Sequence, residues 1–195
     1  MSLTVSEAIA QRRANRRFLD IPVAQDVLDR VVAKALEAPS AFNLQLRELV
    51  VVQDAAVKNA IYEAGYRQQI FRDAPAILVA VGCSEILPDD ATSIVGEQRL
   101  REIAQMKQAL TAQRRREDAL RDAMLTAGFA LLAATEEGLA SCPSSGWDEE
   151  GIKAAIGIGG RDDRAIALLI ALGYSDQQPE YPGRRENRRI DNSYL

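Results

Sequence analysis

Arg12-Arg13-Ala14-Asn15-Arg16-Arg17-Phe18 places four guanidinium groups within six consecutive residues, at the end of a stretch that reads as a short helix. Residues 4–14 carry that helix. Thr4 or Ser6 suits its N-cap, and Val5 and Ile9, with Leu3 ahead of them, form its apolar stripe. If the helix runs on through the arginines, Arg12 and Arg16 share one face and Arg13 and Arg17 the next. Like charges at that spacing cost about 0.2–0.5 kcal/mol per pair. An anion among them reverses the sign, because the planar arginine fork suits phosphate. The other reading is a solvated basic end that complements the helix dipole.

Two further stretches extend this picture. Pro39-Ser40-Ala41-Phe42-Asn43-Leu44-Gln45 follows a second helical pattern and precedes a strand-like run. Ser40, Asn43 and Gln45 supply a hydroxyl and two amides, the mixed donor and acceptor set that the edge of an isoalloxazine ring requires. A capped helix end with Asn43 in a left-handed conformation accounts for the same residues. Far downstream, Ser141-Cys142-Pro143-Ser144-Ser145-Gly146-Trp147-Asp148 lies between a buried helix and the next helix start. Its backbone reads as a loop free to donate, and Gly146 would admit a ring close to the main chain. Asp148 suits the N-cap of the helix that follows.

Between these landmarks the chain alternates helices and strands. Residues 26–37 are a clear amphipathic helix, 48–53 a strand, and 55–64 a helix ended by Gly65. Residues 76–83, Ala-Ile-Leu-Val-Ala-Val-Gly-Cys, form an uninterrupted apolar run, the mark of a strand buried on both faces. Residues 97–121 are highly charged with a sparse stripe (Leu100, Ile103, Leu110), a partly exposed helical excursion. A better stripe, Met124, Ala127, Leu131 and Ala134, then marks a buried helix ending at Gly138, with Gly128 available for close approach of another backbone. Residues 149–156 read as a short helix, and 164–172 as a third strand or a helix. Phe71 and Phe129 are assigned to the core; Phe42 suits either core or ligand. The polar tail from 175 to 195 has no core of its own and is either disordered or laid on another surface.

Composition narrows the function. The 195 residues, 47% hydrophobic and 27% charged, suit a single domain spanning 1–195. No apolar run reaches the roughly 20 residues of a membrane span, and the first residues lack the pattern of a signal peptide, so a cytoplasmic protein is expected. Cys83 and Cys142 have no CxxC spacing and are expected to be buried free thiols. The chain has no histidine, which removes Ser-His-Asp and Cys-His catalysis and leaves any metal site without its commonest ligand. The net charge of −4, with arginines clustered at 12–17, 114–116 and 184–189, fits compact anions better than nucleic acid. Arg114-Arg115-Arg116 precedes Glu117-Asp118 and reads as a solvated helix face, and the glycines at 157–160 follow a helix and have Asp162 where a dinucleotide loop needs glycine.

In order and separation, the three motifs resemble those of the FMN-dependent nitroreductase family: an arginine-rich segment, a Pro-Ser-x-x-Asn-x-Gln turn and a Pro-x-x-Gly-(Phe/Trp)-Asp loop. Leu172-Gly173-Tyr174 and the basic tail also fit. The resemblance implies an α+β fold with a mainly antiparallel central sheet wrapped by helices, an intertwined homodimer, and FMN sites at its interface. NADH or NADPH would reduce FMN and leave, and an electron-poor nitroaromatic, quinone or enone would take its place, a ping-pong sequence. The missing histidine is then no obstacle, because the flavin supplies the reactive atom.

By the same resemblance, Arg12, Arg13 and Arg16 would hold the phosphate and the pyrimidine side of the ring, with Arg16 near N1. Ala14 stands where many relatives carry a hydroxyl. Pro39, Ser40, Ala41, Asn43 and Gln45 would meet the flavin, partly from the partner subunit. Pro143, Ser144, Ser145 and Gly146 would face N5, Gln68 would contact the ring, and Arg184, Arg185 or Arg188 would complete the phosphate site. No residue is assigned to acid–base catalysis, no metal is expected, and the partners are a second copy and small molecules, without nucleic acid or membrane. Leu46-Arg47 replaces the family's common Pro-Trp, and the variable excursion 84–121 is where relatives shape substrate access. Rival readings are other flavin chemistry on this scaffold (dehalogenation or flavin destruction) and a non-enzymatic helical adaptor or nucleic-acid binder.

Overall fold

A computed structural model describes residues 3–186 and 188–193. Helix α1 (Val5–Gln11) starts at Thr4, whose hydroxyl accepts the Glu7 N–H while the Glu7 carboxylate accepts from the Thr4 backbone, a reciprocal capping box. The helix ends at Gln11, so the arginines do not continue it. Residues 12–18 are instead extended. Ala14 bridges Ser141 in parallel, and Asn15 N donates to Ser141 O at 2.9 Å. Their partner is an edge strand whose outer backbone groups would otherwise lie unpaired, and that need outweighs one more turn of like-charged helix. Arg12 and Arg16 both lie close enough to Cys142 to act on its thiol.

Helix α2 (Gln25–Leu36) leads through a 3₁₀ turn at Ala41–Asn43 into strand β1 (Arg47–Val52). Helices α3 (Ala55–Ala64) and α4 (Gln69–Asp73) precede β2 (Ala76–Cys83). The charged excursion comprises α5 (Ala91–Ile94), α6 (Glu97–Gln108) and the first turns of α7 (Ala112–Glu136). Strand β3 (Ala140–Ser144), helix α8 (Glu149–Ala155) and β4 (Arg164–Gly173) follow. The sheet runs β1-β2-β4-β3 and every pairing is antiparallel.

Strand β2 is buried along its whole length because helices cover both faces. Ala76, Leu78 and Ala80 face α2 and α7, packing with Leu28, Val31, Ala127, Ala130 and Ala134. Ile77, Val79 and Val81 point the other way, to Ile61, Phe71, Ile152 and Leu169. A smaller cluster, Leu44, Leu46, Cys83, Leu100 and Ile103, seats the excursion against the end of the sheet.

Two expectations about α7 need correction. It is one helix from 112 to 136, capped by Thr111, not a charged helix followed by a separate buried one. Its buried stripe is made of small residues (Ala119, Ala123, Thr126, Ala127, Ala130, Ala133 and Ala134), which let the backbone sit close to the sheet. Met124 is 46% exposed and Phe129 42%, so neither belongs to the core. Gly128 has open space around it, and the close approach occurs at Gly82, where an added Cβ would lie 2.8 Å from the Ala119 backbone. Residues 140–144 form a strand rather than a loop; Pro143 is tolerated because β3 is an edge.

Candidate functional site

The extended basic segment brings three expected residues together. Arg12 is partly buried, and its pKa is lowered first by that burial, then by the nearby charges of Arg184 and Arg13. Burial raises the Cys142 thiol, opposed by Arg16 and then Arg12, so both guanidiniums lie near β3. Arg184 arrives from the tail, and the Tyr181 ring centre lies 4.9 Å from the Arg13 guanidinium and 5.4 Å from that of Arg184.

Counter-charges are missing here. Arg30, Arg67, Arg99, Arg101, Arg114, Arg116, Arg121, Arg161, Arg164 and Arg189 each pair with a carboxylate. Among the described residues Arg12, Arg13, Arg16, Arg184, Arg185 and Arg188 form no such pair. Arg13 donates to the Arg12 carbonyl and Arg184 to that of Gly183. Arg12 Nη1 and Ser141 Oγ are buried without a hydrogen-bond partner among the described residues. Both residues line a polar cleft of about 170 Å³ with Arg13, Asn15 and Ser175. A buried cationic N–H without an acceptor costs about 1–3 kcal/mol or more, and a bound anion removes that cost. The arrangement therefore fits a phosphate group.

Beside this cluster, Gln68 braces the 143–146 segment. Its Nε2 donates to Gly146 O at 2.7 Å and Gly65 O at 2.9 Å, and its Oε1 accepts from Ser144 Oγ at 2.9 Å. Both amide hydrogens are thus used within the protein, so Gln68 shapes the loop and offers a ring only its remaining acceptor capacity. Tyr66 OH donates to Trp147 O at 3.1 Å, and Asp148 caps α8 by accepting from Gly151 N. An added Cβ at Gly146 would make ordinary contact with Gln68 Nε2 at 3.5 Å and with the Tyr66 ring at 3.9 Å, so the protein packs against this position without crowding it. Ser145 lies in the same loop, past the end of β3.

The 39–45 turn lies elsewhere. Ser40 Oγ accepts from Gln45 N at 2.9 Å, and Ala41 N reaches both Asp122 carboxylate oxygens at 3.4 Å. Burial pushes the Asp122 carboxyl pKa up. Phe42, Asn43 and Gln45 all have positive φ, at 55°, 55° and 53°. Left-handed backbone is strained for a residue as bulky as Phe42, on the order of 1 kcal/mol, and such strain persists only where the surroundings impose it. The buried Arg47 anchors the chain just ahead of this turn. Its guanidinium donates to Leu36 O, Ala38 O and Thr126 Oγ1 at 2.6, 2.8 and 2.8 Å, tying the end of α2 to α7. Phe42 stays 43% exposed, with the Arg99 guanidinium 5.7 Å from its ring centre.

Register fixes the separation of the turn and the basic segment. Arg47 pairs with Gly82, which pairs with Ala165, while Ser144 pairs with Leu169. Three strand spacings across and four residues along put Ser144 roughly 20 Å from Arg47. Strands β2, β4 and β3 lie between β1, where the turn leads in, and the basic segment, so within one chain they line different surfaces. Sequence reasoning missed Arg47 and Tyr181. The signal for Tyr181 was an aromatic residue just ahead of the tail arginines; that for Arg47 was its departure, with Leu46, from the family's Pro-Trp, which did not reveal its role.

Comparison with known proteins places the chain. Residues 9–174 match the model of the nitroreductase family, and the chain belongs to that family. It is 32% identical over 191 residues to a Thermus thermophilus protein named NADH dehydrogenase, covering 94% of this chain and 92% of that one. The fold is shared with a structure from Exiguobacterium sibiricum solved in complex with FMN (TM-score 0.83, 19% identity, 95% and 94% of the two chains). It is also shared with a gut-bacterial enone reductase of fatty-acid saturation (TM-score 0.80, 22% identity, 93% of each chain).

Proposed function

We propose that this protein is an NAD(P)H-dependent FMN oxidoreductase that reduces electron-poor acceptors (nitroaromatics, quinones or enones) by a ping-pong sequence. The observation that carries the reading is the uncompensated cluster of Arg12, Arg13 and Arg184, with the buried Arg12 Nη1 lacking an acceptor. Family membership and the FMN held by the Exiguobacterium fold neighbour support a flavin phosphate as the anion. When bound, FMN supplies hydride acceptance from a nicotinamide and hydride donation to the acceptor.

The chain's own work is holding and orienting. Arg12, Arg13 and Arg184 would neutralise the phosphate, with Arg185 and Arg188 further along the same tail. Arg16, near Cys142 as Arg12 is, would stabilise negative charge at N1. Gln68, by fixing Ser144 and Gly146, would present the loop backbone of 143–146 to the ring.

Ser40, Ala41 and Asn43 can join this site only from a second copy, given the separation across the sheet. The apolar groove between α1 and α7, lined by Val5, Ala8, Phe129 and Leu132, is the surface a partner would cover. Val5, Met124, Leu125 and Phe129 are 71%, 46%, 48% and 42% exposed, too large an apolar set to leave to water. The excursion over residues 84–121 packs beside the turn and would border the acceptor's entrance. No helix among the described residues is long and apolar enough to cross a membrane, and we assign the protein to the cytoplasm.

Purified protein is expected to be yellow or to take up added FMN. Anaerobic NADH or NADPH should bleach the flavin, and an acceptor screen should then restore its colour. A colourless protein with no affinity for FMN would overturn the reading.

A further inference from the structure

We infer that Tyr181 is a positioning residue that makes the basic cleft selective for phosphorylated over unphosphorylated flavin. The inference rests on the proposed FMN site and assigns it a part that lies outside the three motifs. Past Ser175, every hydrogen bond and ion pair among the described residues stays within the tail: Gln177 N to Ser175 Oγ, Arg184 to Gly183 O, Arg188 N to Glu186 O, Arg189 to Asp191, and Ser193 N to Asp191 O. None of these ties the tail to the sheet or its helices. Beyond the bond from Ser175 Oγ to Asn15 at the tail's root, the Tyr181 ring reaches the basic segment, 4.9 Å from the Arg13 guanidinium and 5.4 Å from that of Arg184. Cation–π attraction of this kind is modest at an exposed site, and Tyr181 is 60% exposed.

Around that ring the charges oppose docking. Arg184 and Arg13 both depress the Arg12 pKa, so the tail approaches against repulsion. The Tyr181 ring accepts two cations that would otherwise push apart; Nη1 of each guanidinium donates to a backbone carbonyl, and their remaining N–H groups have no carboxylate among the described residues. With a doubly charged phosphate in place, repulsion among the three arginines becomes attraction, and the tail closes. An uncharged ribityl hydroxyl supplies no such reversal. The expected role needs the ring and not the phenol, since no hydrogen bond uses the Tyr181 hydroxyl among the described residues.

The test compares FMN and riboflavin binding to flavin-stripped wild type, Tyr181→Phe and Tyr181→Leu, followed by flavin fluorescence. Wild type should bind FMN much more tightly than riboflavin. Tyr181→Leu should lose about tenfold in FMN affinity with riboflavin affinity unchanged, while Tyr181→Phe stays within about twofold of wild type; tenfold corresponds to about 1.4 kcal/mol. Inorganic phosphate and FMN should each slow tryptic cleavage of the tail in wild type and not in Tyr181→Leu. Equal loss of FMN and riboflavin in Tyr181→Leu, or loss of neither, overturns the role of the ring. A wild type that binds both flavins alike, or neither, overturns the phosphate site itself, and this inference falls with it.

Discussion

Replacing Arg12 by methionine should move stability and cofactor affinity in opposite directions. Methionine keeps an aliphatic stem of similar length and removes the guanidinium. In the flavin-free protein that group is a liability: Nη1 is buried without an acceptor, and Arg13 and Arg184 repel it. Relief of a desolvation cost of about 1–3 kcal/mol, offset by imperfect packing of the thioether, leaves the apoprotein unchanged or about 1 kcal/mol more stable. For a chain of this size that is an increase in Tm of about 2–4 °C. FMN binding should weaken by about 1.5–3 kcal/mol, the value of a lost charge-assisted hydrogen bond, or roughly 10- to 150-fold in Kd. Thermal melts of flavin-free protein and fluorescence titration with FMN read the two effects separately. A variant that loses more than about 1 kcal/mol of apoprotein stability while binding FMN as wild type would show that Arg12 serves the fold and that the phosphate lies elsewhere.

Other substitutions probe the scaffold around the half-sites. Gly82→Ala would push a methyl into the Ala119 backbone, and overpacking at this β2–α7 crossing should cost about 1–3 kcal/mol in denaturant melts. Arg47→Met strands three oxygen acceptors at the root of the 39–45 turn; a loss of about 3 kcal/mol is expected, with weaker FMN retention even though Arg47 is not assigned a flavin contact. Arg161 holds the Asp163 carboxyl down to about 2, below its unfolded value near 3.8. The contribution is therefore present above pH 4 and lost as pH falls towards 2; with the side chain 37% exposed and screened, Asp163→Asn should cost at most about 1 kcal/mol at pH 7 and flatten that acid limb.

What the sequence revealed follows from where each residue finds its partners. Strand β2 was legible because both of its faces are covered, so residues 76–83 are apolar without a break. Strand β3 was hidden by Pro143 and its polar neighbours, features that an edge position tolerates and a local reading assigns to a loop. The continuous helix α7 was obscured because its buried face is alanine while its large residues, Met124, Leu125 and Phe129, point outward. In the site, the arginine segment and the amide-bearing turn stood out as motifs. Their placement at opposite edges of the sheet did not, since strand order is a long-range property. Arg47 reaches Thr126 and Tyr181 reaches Arg13, partners far along the chain that no local pattern records.

A subunit-mixing experiment tests most directly whether the site is shared between two copies. One chain carries Arg12→Met with Arg16→Met, the other Ser40→Ala with Asn43→Ala, each with its own affinity tag, and doubly purified heterodimers are titrated at an FMN concentration that saturates wild type. Each variant homodimer should remain empty and the heterodimer should bind one FMN per dimer, because one of its two sites draws only unaltered residues from both chains. Flavin-free heterodimers, or a wild-type protein that holds FMN as a monomer, would contradict the account.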